Sequence, residues 1–145
     1  QERGIAGHLV NIASAASVTP MPNMAAYAAS KYAVEGFCEV LQMELADSPI
    51  SVSCVHPGII NTAIVTHDER SDLPREQVER LQRNYREKGA HPSVVANDIV
   101  NGVKHRKPNI FTGPGTGLPP ILKRLLSRKA FRRVLIKAAR DTGYL

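Results

Sequence analysis

A long helix-forming stretch flanked by two short β-prone runs constrains this chain more than any other feature. Residues Met24 to Asp47 are rich in Ala, Leu, Glu and Lys and too long for a loop, so they predict one helix. Before it, His8 to Ser14 (H-L-V-N-I-A-S) reads as a buried strand of roughly four to six residues, because Leu9, Val10 and Ile12 form a short apolar run. After it, Ile50, Val52, Cys54 and Val55 mark a second strand that Pro57-Gly58 stops. Strand, helix, strand is the unit of a parallel sheet. Another strand is predicted at Asn109 to Thr112. A helix is predicted from Pro92-Ser93 to about His105, with Val94, Val95, Ile99 and Val103 on its core face.

Within this frame, Tyr27 and Lys31 stand four residues apart on the long helix and therefore share a face. Ser14 is delivered to the tip of the first strand. An ordinary tyrosine, with a pKa of about 10, is a poor acid at neutral pH. An ammonium roughly 4 Å from a phenolate is worth about 4 kcal/mol at an effective dielectric of about 20, less the cost of desolvation. That is enough to turn a phenol into a general acid. Taken singly, each residue has a plainer reading: two unrelated helix positions, a serine capping a turn, a proline and glycine ending a strand, and Thr62 as a helix cap.

Taken together, Val10-Asn11-Ile12-Ala13-Ser14, the Tyr27 to Lys31 pair (Y-A-A-S-K) and Pro57-Gly58-Ile59-Ile60-Asn61-Thr62 resemble the short-chain dehydrogenase/reductase family. Its members carry V-N-I-S-S, Y-x-x-x-K and P-G-x-x-x-T in this order. Ala13 replaces the first Ser of the first motif, and the resemblance covers roughly residues 4 to 114. It implies an α/β, Rossmann-like, doubly wound parallel sheet, present here as its C-terminal half with about three strands and flanking helices. It implies that Tyr27 is the general acid/base, that Lys31 tunes it and holds the nicotinamide ribose, and that Ser14 hydrogen-bonds the substrate oxygen. Pro57, Gly58, Ile60 and Thr62 would line the nicotinamide of NAD or NADP. The reaction implied is hydride transfer between that cofactor and a ketone or secondary alcohol, a small-molecule substrate. The stretch from Ala63 to about Gly89 would hold a mobile substrate-binding loop and a short helix. The resemblance also implies homo-oligomers built through the helix that bears the tyrosine.

The family's opening T-G-x-x-x-G-x-G turn, which seats dinucleotide phosphates at a helix N-terminus, does not occur in these 145 residues, nor does N-N-A-G. The chain is expected to be the C-terminal half of a longer enzyme, inactive alone; the alternative is a catalytically silent scaffold that retains the motifs. Gly113-Pro114-Gly115-Thr116-Gly117 is no substitute. Pro114 removes an amide donor and Pro119-Pro120 stand where a phosphate-binding helix should start, so a connecting loop is expected.

Charge divides the chain. Residues 121 to 145 carry eight bases (Lys123, Arg124, Arg128, Lys129, Arg132, Arg133, Lys137 and Arg140) against Asp141, whereas the remainder is nearly neutral. Ile121, Leu122, Leu125, Leu126, Phe131, Val134, Leu135 and Ala138 recur at helical intervals, predicting one basic amphipathic tail helix over 120–145 beside a domain over 1–119. Its apolar stripe suits either an anionic membrane surface or packing on its own domain or a partner subunit. One interleaved aromatic, Phe131, argues against nucleic-acid binding. The same tail makes a greasy or lipid-like substrate the expectation. The mixed charges of Arg75 to Lys88 predict a solvated helix. The five histidines lack ligand spacing, so no metal is inferred. Cys38 and Cys54 read as small buried hydrophobes without C-x-x-C spacing, which favours a reducing, cytoplasmic setting, with membrane-peripheral contact through the tail.

Overall fold

The computed structural model describes residues 5–64 and 73–145. Three strands, β1 (Gly7–Ile12), β2 (Ile50–Pro57) and β3 (Asn109–Thr112), form one parallel sheet in the order β1-β2-β3. Helix α1 (Ala25–Glu44) connects β1 to β2. Helices α2 (Arg75–Lys88) and α3 (Pro92–Lys104) precede β3, and α4 (Pro119–Leu125) and α5 (Arg128–Thr142) follow it. The expected α/β parallel sheet of about three strands is the observed one.

The central strand accounts for the layering. Val52, Ser53, Cys54, Val55 and His56 are all buried, as expected for a strand covered on both faces. Cys54 packs with Cys38 of α1, Val52 and Ala13 in one core cluster. Val55 pairs with Ile110, whose side chain meets Gly102 of α3. Successive strand residues point to opposite faces, so α1 covers one side of β2 and α3 the other. A Cβ at Gly102 would lie 2.2 Å from Ile110 Cδ1, so only glycine lets α3 approach the sheet this closely. That contact also corrects the expected core face of α3: Val95, Ile99, Gly102 and Val103 turn inward, while Val94 is exposed. Both cysteines are buried free thiols, and burial pushes Cys54 up to about 12.

Three further expectations are corrected. Helix α2 is not merely solvated: Val78, Leu81 and Asn84 are buried on one face, and its charges occupy the other. The tail is two helices rather than one. Leu126 leaves the helical region, and Ser127 caps α5 by accepting from the Ala130 amide at 3.3 Å. Pro119 and Pro120 start α4 instead of preventing it, because a first-turn proline removes an amide that has no helical partner anyway. Asp68 to Asp72 and His67 lie outside the described residues. No helix of the described chain is long and apolar enough to cross a membrane.

Candidate active site

Three segments converge on one cleft of about 910 Å³ at the C-terminal ends of β1 and β2. Ser14, Tyr27, Lys31, Pro57, Gly58, Ile60 and Thr62 all line it, so every site residue expected from the sequence faces the same space. In open parallel sheets a ligand crevice lies outside the carboxyl ends of the strands, where these motifs sit.

Each side chain is held by local structure. Ser14 is extended (φ −170°, ψ 160°) and begins the single 3-10 turn Ala15–Ser17. Its Oγ accepts from the Ala16 amide at 3.1 Å, so the capping role foreseen as the plainer reading is real. That bond uses a lone pair and leaves the hydroxyl hydrogen to donate into the cleft. Lys31 and Tyr27 share a face of α1, with Nζ 5.7 Å from the ring centroid. Nζ donates to the Ile12 carbonyl at 3.2 Å, which ties the helix to the end of β1 and leaves two of its three donors unspent. Asn23 sets the entry to α1 in a left-handed conformation (φ 62°), which Asn tolerates better than most residues.

The Pro57-Gly58 turn is braced from behind. The Gly58 amide donates to the Thr112 carbonyl at 2.9 Å, and the Ile59 amide donates to the Pro114 carbonyl at 3.1 Å. The loop 113–117 is therefore a strut for the turn, with Gly113 and Gly115 at positive φ. Ile60 bridges Ala90 in parallel, pinning the far side of the turn to the segment before α3.

Sequence reasoning missed two supports. His56 is fully buried; its Nδ1 lies 3.1 Å from Ser17 Oγ and its Nε2 3.2 Å from Asn109 Oδ1. Ser17 Oγ donates to the Ser14 carbonyl at 2.7 Å, so His56 Nδ1–H must be the donor to Ser17. On the other side of the ring, Nε2 faces the Asn109 side-chain amide. The chain Asn109–His56–Ser17–Ser14 thus anchors the strand tip that carries Ser14. Its signal was the place of His56 beside Val52 and Cys54 in the alternation of β2. The second support is Tyr144, whose carbonyl accepts from Asn23 Nδ2 at 3.2 Å and Gln77 Nε2 at 3.0 Å, and whose hydroxyl lies 2.8 Å from that of Tyr85. Burial and the Tyr85 hydroxyl hold the Tyr144 phenol well above the usual tyrosine range. Tyr144 clasps the apolar end of the cleft, and nothing local in the sequence marks it.

The sequence pattern of the short chain dehydrogenase family matches residues 2–73, a span that includes Ser14, Tyr27, Lys31 and the Pro57-Gly58 turn. The chain belongs to the short-chain dehydrogenase/reductase family. Among relatives of this family, SadH of Mycobacterium tuberculosis is 33% identical over 136 residues, covering 92% of this chain and 49% of SadH. A family member from Burkholderia phymatum, solved in complex with NAD, superposes with a TM-score of 0.71 at 25% identity, covering 92% of this chain and 50% of that one. Another from Burkholderia cenocepacia, solved with NADP, gives a TM-score of 0.63 at 20% identity over 90% of this chain and 48% of that one. The chain spans about half the length of the family members it matches.

Proposed function

We propose that this protein is an NAD(P)-dependent oxidoreductase that interconverts a ketone and a secondary alcohol, with Tyr27 as general acid/base. The observation that carries this reading is the convergence of Ser14, Tyr27, Lys31 and the Pro57 to Thr62 turn on one cleft. A bound nicotinamide cofactor would supply the hydride chemistry. Ser14 would donate its free hydrogen to the substrate oxygen, and Tyr27 would hand that oxygen a proton as it gains negative charge. Lys31, anchored on Ile12 O, would hold its charge beside the phenol and offer its remaining donors to the ribose. Pro57, Gly58, Ile60 and Thr62 would flank the nicotinamide. The NAD and NADP of the two superposed family members support the cofactor class.

An apolar or lipid-like substrate fits the far end of the cleft, where Met21, Met24, Leu73, Val78, Leu81 and Ile99 supply the wall. Peripheral membrane contact through the basic tail belongs to this reading, as does assembly with a second copy through α1, on which Phe37 and Met43 are apolar and exposed. These 145 residues contain no phosphate-binding glycine turn, so on this reading they supply the nicotinamide side of the site and turn over nothing when assayed alone. The test is Tyr27→Phe in the protein at its native length, assayed with NADH and NADPH against a panel of ketones. Turnover is expected to fall by at least about 10²-fold, the scale of a lost general acid, with cofactor binding by fluorescence unchanged. Wild-type turnover in that variant would remove Tyr27 from the role; no turnover in either form, with cofactor unbound, would favour a silent scaffold.

A further inference from the structure

The basic tail does not behave as one amphipathic unit. On α5, Phe131 and Ala139 are buried, and Ala139 packs with Leu81 and Tyr144, so part of its apolar surface docks on its own domain, while Val134 and Ile136 stay 42% and 37% exposed. Helix α4 buries no residue. Leu118, Ile121 and Leu125 follow one another at spacings of three and four and are 63%, 55% and 75% exposed, forming one uncovered apolar ridge.

The ridge lies in a stretch of sequence that carries charge of a single sign. Lys123, Arg124, Arg128, Lys129 and Arg132 lie on the same and the following helix, and all are exposed. Between Asp98 and Asp141 the sequence contains no acidic residue. Among the described residues none of these bases makes an ion pair. Lys123 alone is engaged, donating to the Tyr32 hydroxyl at 3.1 Å and lying 4.9 Å from its ring centroid, which fixes α4 against α1. A protein partner of ordinary composition would leave most of this charge unmatched. An anionic lipid surface matches it throughout and takes up the apolar ridge at the headgroup boundary.

We propose that α4 is the membrane-docking element: Leu118, Ile121 and Leu125 enter the interface of an anionic bilayer while Arg124, Arg128, Lys129 and Arg132 contact its headgroups. This deepens the peripheral contact read above and does not depend on the chemistry at Tyr27. Helix α5 runs from this surface to Thr142 and Tyr144 in the cleft wall, so it links the docking element to the apolar end of the cleft.

The test is co-sedimentation of the full chain with vesicles of phosphatidylcholine alone and of phosphatidylcholine mixed with phosphatidylserine. Binding is expected only to the mixed vesicles and is expected to weaken as salt rises. Ile121→Asp with Leu125→Asp changes exposed positions only and should lower partitioning at least about tenfold with the circular dichroism spectrum unchanged. Neutralising Arg124, Arg128 and Lys129 to Gln should lower it about fivefold per base. Failure of the wild-type chain to bind mixed vesicles overturns the proposal, as does binding that survives the aspartate pair. Conversion of a dimer to a monomer by that pair, without vesicle binding by the wild type, overturns it in favour of a second copy on the ridge. A loss of turnover in Tyr27→Phe with vesicle binding intact separates the two readings.

Discussion

Gly58 offers the sharpest check on how the site is built, because its role is a matter of space rather than of backbone angle. It is absent from the residues at positive φ, so alanine could adopt its conformation. A Cβ built there would nevertheless lie 2.0 Å from Pro114 O and 3.0 Å from Pro114 C, with Thr116 Cγ2 at 2.8 Å. The obstructing atoms are mainly backbone, so no rotamer change relieves them. The two segments must part by roughly 1 Å, and overpacking of this kind costs about 1–3 kcal/mol. Parting them also stretches the bonds from Gly58 N to Thr112 O and from Ile59 N to Pro114 O, each worth about 1 kcal/mol. The expected loss for Gly58→Ala is about 3–5 kcal/mol. For a domain of this size that lowers the midpoint of thermal unfolding by roughly 6–20 °C. Thermal unfolding followed by circular dichroism measures it, with Gly117→Ala as control, since nothing lies within 4 Å of a Cβ there. The control should stay within about 0.5 kcal/mol of wild type. A Gly58→Ala protein that melts with the wild type would refute the claim that loop 113–117 presses against the turn.

Two further outcomes follow from buried groups. Ser17→Ala removes the acceptor of His56 Nδ1–H in a fully buried setting, so urea unfolding should show a loss of about 1–3 kcal/mol; an unchanged midpoint would mean that His56 does not brace the Ser14 turn. The second concerns alkaline pH. Burial, with Cys38 beside it, raises the Cys54 thiol from 9.0 to about 12, so the folded state holds this proton more tightly than the unfolded chain does. The resulting stability is complete below pH 9 and is lost progressively as pH rises towards 12. Cys54→Ala should flatten that decline in a series of unfolding midpoints, and an equally steep decline in the variant would assign it to other groups, Tyr144 first among them.

The candidate site was legible in the sequence to the extent that it rests on local spacing. Tyr27 and Lys31 meet because i and i+4 share a helix face, whatever the rest of the chain does. Ser14 and Pro57 reach the cleft because each ends a short apolar run, and parallel strands ending at one edge bring such ends together. The interval from Met24 to Asp47 read as one helix, observed over Ala25–Glu44, and the strand-helix-strand order followed from it.

The remainder depended on which distant segments touch, and no local pattern encodes that. Glycine at position 58 reads as a strand stop, yet its want of a side chain answers to Pro114 on another loop. Tyr144 looks like part of a basic tail, although its carbonyl closes on Asn23 and Gln77. The apolar stripe of the tail left two placements open. Periodicity reports that a face is greasy, but only packing shows that α5 buries Phe131 and Ala139 and that α4 buries nothing. Sequence determined the chemistry that the cleft can present, through short-range geometry. Tertiary structure decided what holds that chemistry in place and which surface stays uncovered, because those outcomes are contests between residues far apart in the chain.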